Sequence, residues 1–309
     1  MYNEERKLDF LEQTNTAFMY AGLAIFKRSE VFEKKYRRDL CAFSQEEIKN
    51  LLDEIIVGKT QAQTLGILVL NEYSKWCRKF KFNGCQKWDL KIEDIGVGKF
   101  KQQFVSDPLH LRWYLNQVFD PVEENTFDLV YRGYFWLAYF GIRDESQALQ
   151  VMASDVDIEG RKIYIGSSVF DMYDESVLVF QKLVNLNSFN VHGQKKRRER
   201  AQGNLILRRG FYDEVSLQSF RSIITQKKSK FKKSYGNKDW FVNLTYERAW
   251  YSGVYYRMYQ AELEGIPPDF LGIVENFTKI QGRSNIKKTS LEYLRDYTRW
   301  KQAFNLCGI

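Results

Sequence analysis

For most of the chain the apolar positions fall in helical register. SQEEIKNLLDEII opens with Ser44 three residues before Glu47, the spacing of a capping box. It continues with Ile48, Leu51, Leu52, Ile55 and Ile56 at intervals of three and four, which predicts a helix. The pattern restarts after Gly58 in GKTQAQTLGILVLNEYSKWCRKF, where Leu65, Leu68, Tyr73, Trp76 and Phe80 form the expected inward stripe. Two more helices are expected, over about residues 7 to 27 and about 30 to 37, so the first hundred residues read as a small helical bundle.

Over FNGCQKWDLKIEDIGVGKFK the periodicity weakens and glycines appear, the mark of a connector, which ends near residue 105. SDPLHLRWYLNQVF then supplies Ser106 as a cap and Pro108 in the first turn of a new helix. TFDLVYRGYFWLAYFGI is a second, mostly apolar helix, and DVDIEGRKIYI sets a polar turn around Gly160 between alternating residues, a β-hairpin. VLVFQKLVNL fits either a strand or a helix. The expected fold is mainly α with a small antiparallel β-sheet, in two domains spanning 1–104 and 105–309, since 309 residues are comfortable for two cores. No apolar run approaches the roughly 18 residues needed to cross a bilayer, and MYNEERKLDF lacks the apolar core of a signal peptide. A cytoplasmic protein with no membrane partner is expected.

Composition changes this picture in one respect, the placing of charge. The net charge is +8, yet between Gly193 and Lys238 fourteen Lys or Arg stand against Glu199, Asp213 and Glu214, a local +11 that leaves the rest of the chain at −3. Interleaved with Phe211, Tyr212, Phe220, Phe231 and Tyr235, this is the footprint of a polyanion site, most often nucleic acid; a solvated charged loop is the plainer alternative. The candidate contacts are Lys195, Lys196, Arg197, Arg198, Lys227, Lys228 and Lys230, with Lys59, Thr60, Gln61 and Gln63 at a predicted helix start suited to a phosphate and a groove. Cys41, Cys77, Cys85 and Cys307 show neither CxxC spacing nor a dense framework, so the expectation is reduced thiols, with no metal and no cofactor. Two histidines, His110 and His192, limit any chemistry that depends on imidazole.

Arg143 stands directly behind the apolar run YFWLAYF, where an unpaired charge would cost several kcal/mol. Either it pairs internally, with Glu145 or Asp155, or it serves a ligand. The order of apolar helix, Gly-Ile-Arg, Asp-Val-Asp and hairpin over residues 126 to 165 resembles the catalytic domain of tyrosine recombinases, the phage integrase family. The resemblance implies a helical core-binding domain before it, and gives Arg143 the role of gripping the scissile phosphate, with Glu145 loosely the family's acidic residue. The second phosphate-gripping arginine would be Arg248 in NLTYERAWYSG, with Thr245 where the family has a His. The family's lysine belongs in a turn where Gly166, Ser167 and Ser168 stand, and Lys162 on the preceding strand is a poor substitute. In QGRSNIKKTSLEYLRDY, Gly282 and Thr289 are in register but Arg283 takes a second His position. Glu292 falls where the nucleophile is expected, with Tyr293 one residue late and Tyr297 five late.

Both arginines of the pattern are present and its proton-transfer set is missing. Each general acid or base commonly contributes roughly 10²- to 10⁴-fold, whereas two arginines suffice to bind phosphate. The simplest account is a recombinase fold kept as a binder of double-stranded DNA, a phage transcriptional repressor that maintains lysogeny at its operator sites and answers to an antirepressor protein. The alternatives are an active integrase with unusual catalytic residues and a structural or partner-binding protein. RWKQAFNLCGI is long and apolar enough to pack on a neighbour, which makes a homodimer a further expectation.

Overall fold

The computed structural model describes residues 1–56, 60–119, 126–186, 188–191, 194–197, 205–207, 216–235, 242–266 and 290–306. They divide into two compact units, Met1–Lys99 and Phe100–Ile309. Among the described residues no helix is long and apolar enough to cross a membrane.

The first unit is built on four helices: α1 (Glu4–Glu12), α2 (Thr16–Tyr36), α3 (Gln45–Ile55) and α4 (Thr60–Lys79). The capping box of α3 forms as the sequence predicts, Ser44 accepting from the Glu47 amide and Glu47 from the Ser44 amide. The helices expected over about 7 to 27 and 30 to 37 are divided elsewhere. Asn15 caps α2 by accepting from the Phe18 amide at 3.0 Å, and α2 then runs unbroken to Tyr36. The inward face of α4 is also displaced by about one position. Val69, Leu70, Tyr73 and Cys77 are fully buried, whereas Leu68 and Phe80 are about half exposed; α4 is apolar on more than one side, and Tyr73 belongs to both stripes. Phe26 and Phe10 close on Tyr73 with ring centroids 4.8 and 5.3 Å away. Inside this core Lys7 donates to Glu33 at 2.6 Å, and Glu33 also accepts from Ser29 and from the Leu40 amide. Those added donors are what a buried ion pair needs to offset its desolvation.

A short turn, α5 (Gly98–Lys101), stands at the junction, and the second unit continues with α6 (Pro108–Val118), α7 (Thr126–Phe140) and a further short turn, α8 (Glu145–Ala148). The cap of α6 is Asp107 rather than Ser106: its carboxylate accepts the His110 amide at 2.8 Å. Strands β1 (Val156–Asp157), β2 (Lys162–Ile165) and β3 (Ser168–Asp171) form an antiparallel sheet in that order, with Val156 opposite Ile163 and Ile163 opposite Phe170. The Asp157 carboxylate accepts the Gly160 amide and so closes the predicted turn. VLVFQKLVNL is helical: α9 spans Asp174–Val184 and buries Val179, Phe180 and Leu183. A two-stranded ribbon, β4 (Ser188–Val191) with β5 (Gln194–Arg197), precedes α10 (Leu217–Tyr235), α11 (Tyr246–Leu263) and α12 (Ser290–Ala303).

Helix α7 is the centre of this unit, with Tyr131, Tyr134, Phe135, Trp136 and Tyr139 all buried. It lies against α11 so closely that a Cβ added at Gly253 would stand 1.9 Å from the Tyr139 carbonyl oxygen. Only a residue without a side chain permits that crossing. α12 adds Tyr293, Tyr297 and Trp300, which pack on Tyr251 and Tyr255 of α11 at centroid separations of 6.0 to 6.4 Å. Trp300 also donates to the Val105 carbonyl at 3.0 Å. The segment expected to be available to a neighbouring molecule thus buries Trp300 and Ala303 in its own chain.

Candidate nucleic-acid interface

The site is assembled around the first turns of α11. Thr245, at the position where the recombinase pattern has a His, is the cap of this helix and accepts the Arg248 amide at 3.3 Å. Tyr246 donates to the Ile142 carbonyl at 2.6 Å and Trp250 donates to the Gly141 carbonyl at 2.9 Å. The Gly-Ile-Arg segment behind α7 is therefore fastened to α11 by two buried hydrogen bonds. The guanidinium of the half-buried Arg143 lies 4.9 Å from the centre of the Trp250 ring, a cation–π contact.

The carboxylates weighed as internal partners of Arg143 have other work. Glu145 receives two hydrogen bonds from Arg221 of α10, at 2.9 and 2.6 Å, and one from the Tyr134 hydroxyl. Asp155 accepts the Met152 amide at 2.9 Å.

Arg248 is half-buried in the first turn of α11 and donates to the Asn243 carbonyl at 3.1 Å. Burial lowers its pKa. Lys228, reaching across from α10, donates to the neighbouring Leu244 carbonyl at 2.7 Å. Burial and then the nearby charge of Arg248 bring the Lys228 ammonium down to about 8. Two cations thus hang on adjacent carbonyls beside a helix amino-terminus, whose dipole favours negative charge. This arrangement can receive an anionic oxygen.

Tyr293 is fully buried. Burial raises its phenol above the ordinary value, against the opposing influence of Arg143 and of a hydrogen bond with Tyr251. The Tyr297 hydroxyl is bound to Glu262, which also accepts Lys301 at 2.7 Å. The turn between β2 and β3 carries Gly166 and Ser167, and Lys162 is exposed on β2 in register with Asp171. His110 is engaged locally, its Nδ1 accepting the Ser106 amide at 3.2 Å.

Of the remaining candidates, Lys227 is paired with the buried Asp128 of α7, so its charge is already matched. Lys230 is exposed on α10. Lys195, Lys196 and Arg197 lie on β5, their side chains outside the described residues, as are those of Thr60 and Gln61 at the start of α4. Lys59, Arg198, His192, Gly282, Arg283 and Thr289 lie outside the described residues altogether, and the side chain of Glu292 does too. Gln63 is buried rather than offered to a groove. Trp250 under Arg143 and Arg221 on Glu145 were not legible in the sequence, because both contacts join positions more than seventy residues apart.

The described structure is mainly α with small antiparallel sheets, the class expected from the sequence. Residues 1–79 match the family described as MrpR, N-terminal core-binding domain, so the amino-terminal helical unit is MrpR-like. Among solved structures the chain is similar to XerA recombinase, with 11% identity and a TM-score of 0.43 over 99% of each chain. It is also similar to the Tn1549 transposon integrase in complex with circular intermediate DNA, with 15% identity and a TM-score of 0.37 over 85% of this chain and 87% of that one. No curated protein matches the chain.

Proposed function

We propose that the chain is a sequence-specific double-stranded DNA-binding protein, a phage transcriptional repressor that maintains lysogeny, and that it has no recombinase activity. The observation that carries this reading is that Arg143, behind α7 and over Trp250 of α11, and Arg248, in the first turn of α11, go with a Tyr293 that is buried and whose phenol is raised above its ordinary value by burial. Phosphate contacts need charge and position, which these arginines have. Strand cleavage needs an accessible nucleophile and proton donors, and the positions expected to hold donors carry a helix cap, Thr245, and a turn, Gly166–Ser167. The family match over residues 1–79 supports the same reading for the amino-terminal unit. The experiment is a pair of assays on one duplex: a mobility shift against competitor DNA, and covalent capture on a nicked suicide substrate. A shift without adduct is expected. An adduct lost in Tyr293→Phe or Tyr297→Phe identifies a working recombinase, and no shift at any site removes DNA from the account. Genome-wide mapping then separates a regulator, with repeated short sites, from an integrase with one attachment site.

A further inference from the structure

Three cysteines that the sequence keeps far apart meet in the core of the first unit. Cys41 lies in the 3-10 turn Leu40–Ala42, Cys77 on α4, and Cys85 in the turn that follows α4. Their sulfurs all lie within 4.8 Å of one another, and those of Cys41 and Cys85 are 2.8 Å apart. The spacing of the cysteines does not reveal this convergence, because the fold brings them together. Gly84, at φ +77°, turns the chain back, and the Gln86 amide then donates to the Cys41 carbonyl at 2.8 Å, which fixes Cys85 beside Cys41.

We infer that Cys41, Cys77 and Cys85 form a binding site for a thiophilic metal ion of the zinc class, with a fourth position left to an external ligand such as water. Zinc–sulfur bonds of about 2.3 Å in a tetrahedron set sulfurs about 3.8 Å apart. The Cys41–Cys85 separation of 2.8 Å lies below that value and the limit of 4.8 Å for the whole set lies above it, so the three sulfurs are within the reach of one ion. Soft thiolate sets of this kind select zinc or copper(I) over hard cations. Asp39 is not the fourth ligand, being held by Asn3, Tyr73 and the Cys41 amide. The Arg6 guanidinium, ion-paired with Asp39 at 3.5 Å, also lies 4.0 Å from the Cys41 sulfur and over the Phe82 ring. Cys41 and Cys77 are fully buried and Cys85 is partly exposed, so Cys85 marks the route of entry.

The test titrates the full-length, reduced chain with cobalt(II) chloride and then zinc chloride. One cobalt per chain is expected, with thiolate-to-metal charge-transfer absorption that zinc abolishes. Cys85→Ser, at the most exposed of the three positions, should melt close to the unaltered chain yet bind at least about 100-fold more weakly, since losing a ligand costs no less than losing its outer-shell support. Cys307→Ser should bind normally. A folded chain that gives no thiolate–cobalt absorption overturns the inference, and so does a Cys85→Ser variant that retains full affinity.

Discussion

At Arg143 the guanidinium of a half-buried side chain lies over the aromatic face of Trp250, a contact made within the second unit. Arg143→Ala and Arg248→Ala should each weaken DNA binding by about 1.5 to 3 kcal/mol, the range for a charge-assisted contact. Fluorescence anisotropy would measure this, with thermal unfolding as the control; a loss of stability alone would make both residues structural. Lys228 gives a pH-dependent companion. Its folded pKa of about 8 lies below the ordinary 10.5, so between those values the unfolded chain binds more protons than the folded one. Stability should therefore rise as pH climbs through that window. In the folded chain the charge that Lys228 would offer a phosphate falls around pH 8. DNA affinity at constant ionic strength should drop from pH 7 to 9, and Lys228→Arg should remove that drop. At this scale the sequence singled out Arg143 and Arg248 but could not show what they touch. Trp250, Arg221 and the three converging cysteines come together only through tertiary contacts, and no local pattern encodes them.

Among the elements, α11 has two positions whose roles differ in size. Thr245→Ala removes a cap and should destabilise the second unit by about 1 kcal/mol. Gly253→Ala should do far more, because its Cβ meets backbone rather than a side chain that can swing away. Denaturant titration would rank them, and equal losses would show that the crossing of α7 and α11 relaxes easily. The legible elements were those with strong local signals: the capping box of α3, the apolar α7, the hairpin closed at Asp157 and Gly160. Boundaries set by one side chain were not legible. Asn15 breaks the expected first helix, and Asp107 displaces Ser106 as a cap, because such choices depend on backbone angles that apolar spacing does not report. α9 stayed open between strand and helix for a related reason: ten residues of mixed apolar character satisfy both periods.

For the whole molecule the governing quantity is where the charge lies. The net +8 is concentrated between residues 193 and 238, and Lys227 spends its share on Asp128. Reversing Lys195, Lys196, Arg197 and Arg198 to Glu should weaken binding to every duplex and flatten its salt dependence, each lost phosphate contact removing about 0.9 from the log–log slope. An unchanged slope would place that ribbon off the DNA. The contact of Gly253 with the Tyr139 carbonyl bears on the same scale. Arg143 follows the end of α7 and Arg248 lies in the first turn of α11, so two closely crossing helices hold both arginines in a fixed frame. Such a frame works as a gauge: a ligand spends little ordering energy on it, and has to bring its own charges to the spacing already set. For a duplex that spacing is a matter of groove width and bending, so part of the selectivity would be exercised through the stiffness of base steps that no side chain reaches.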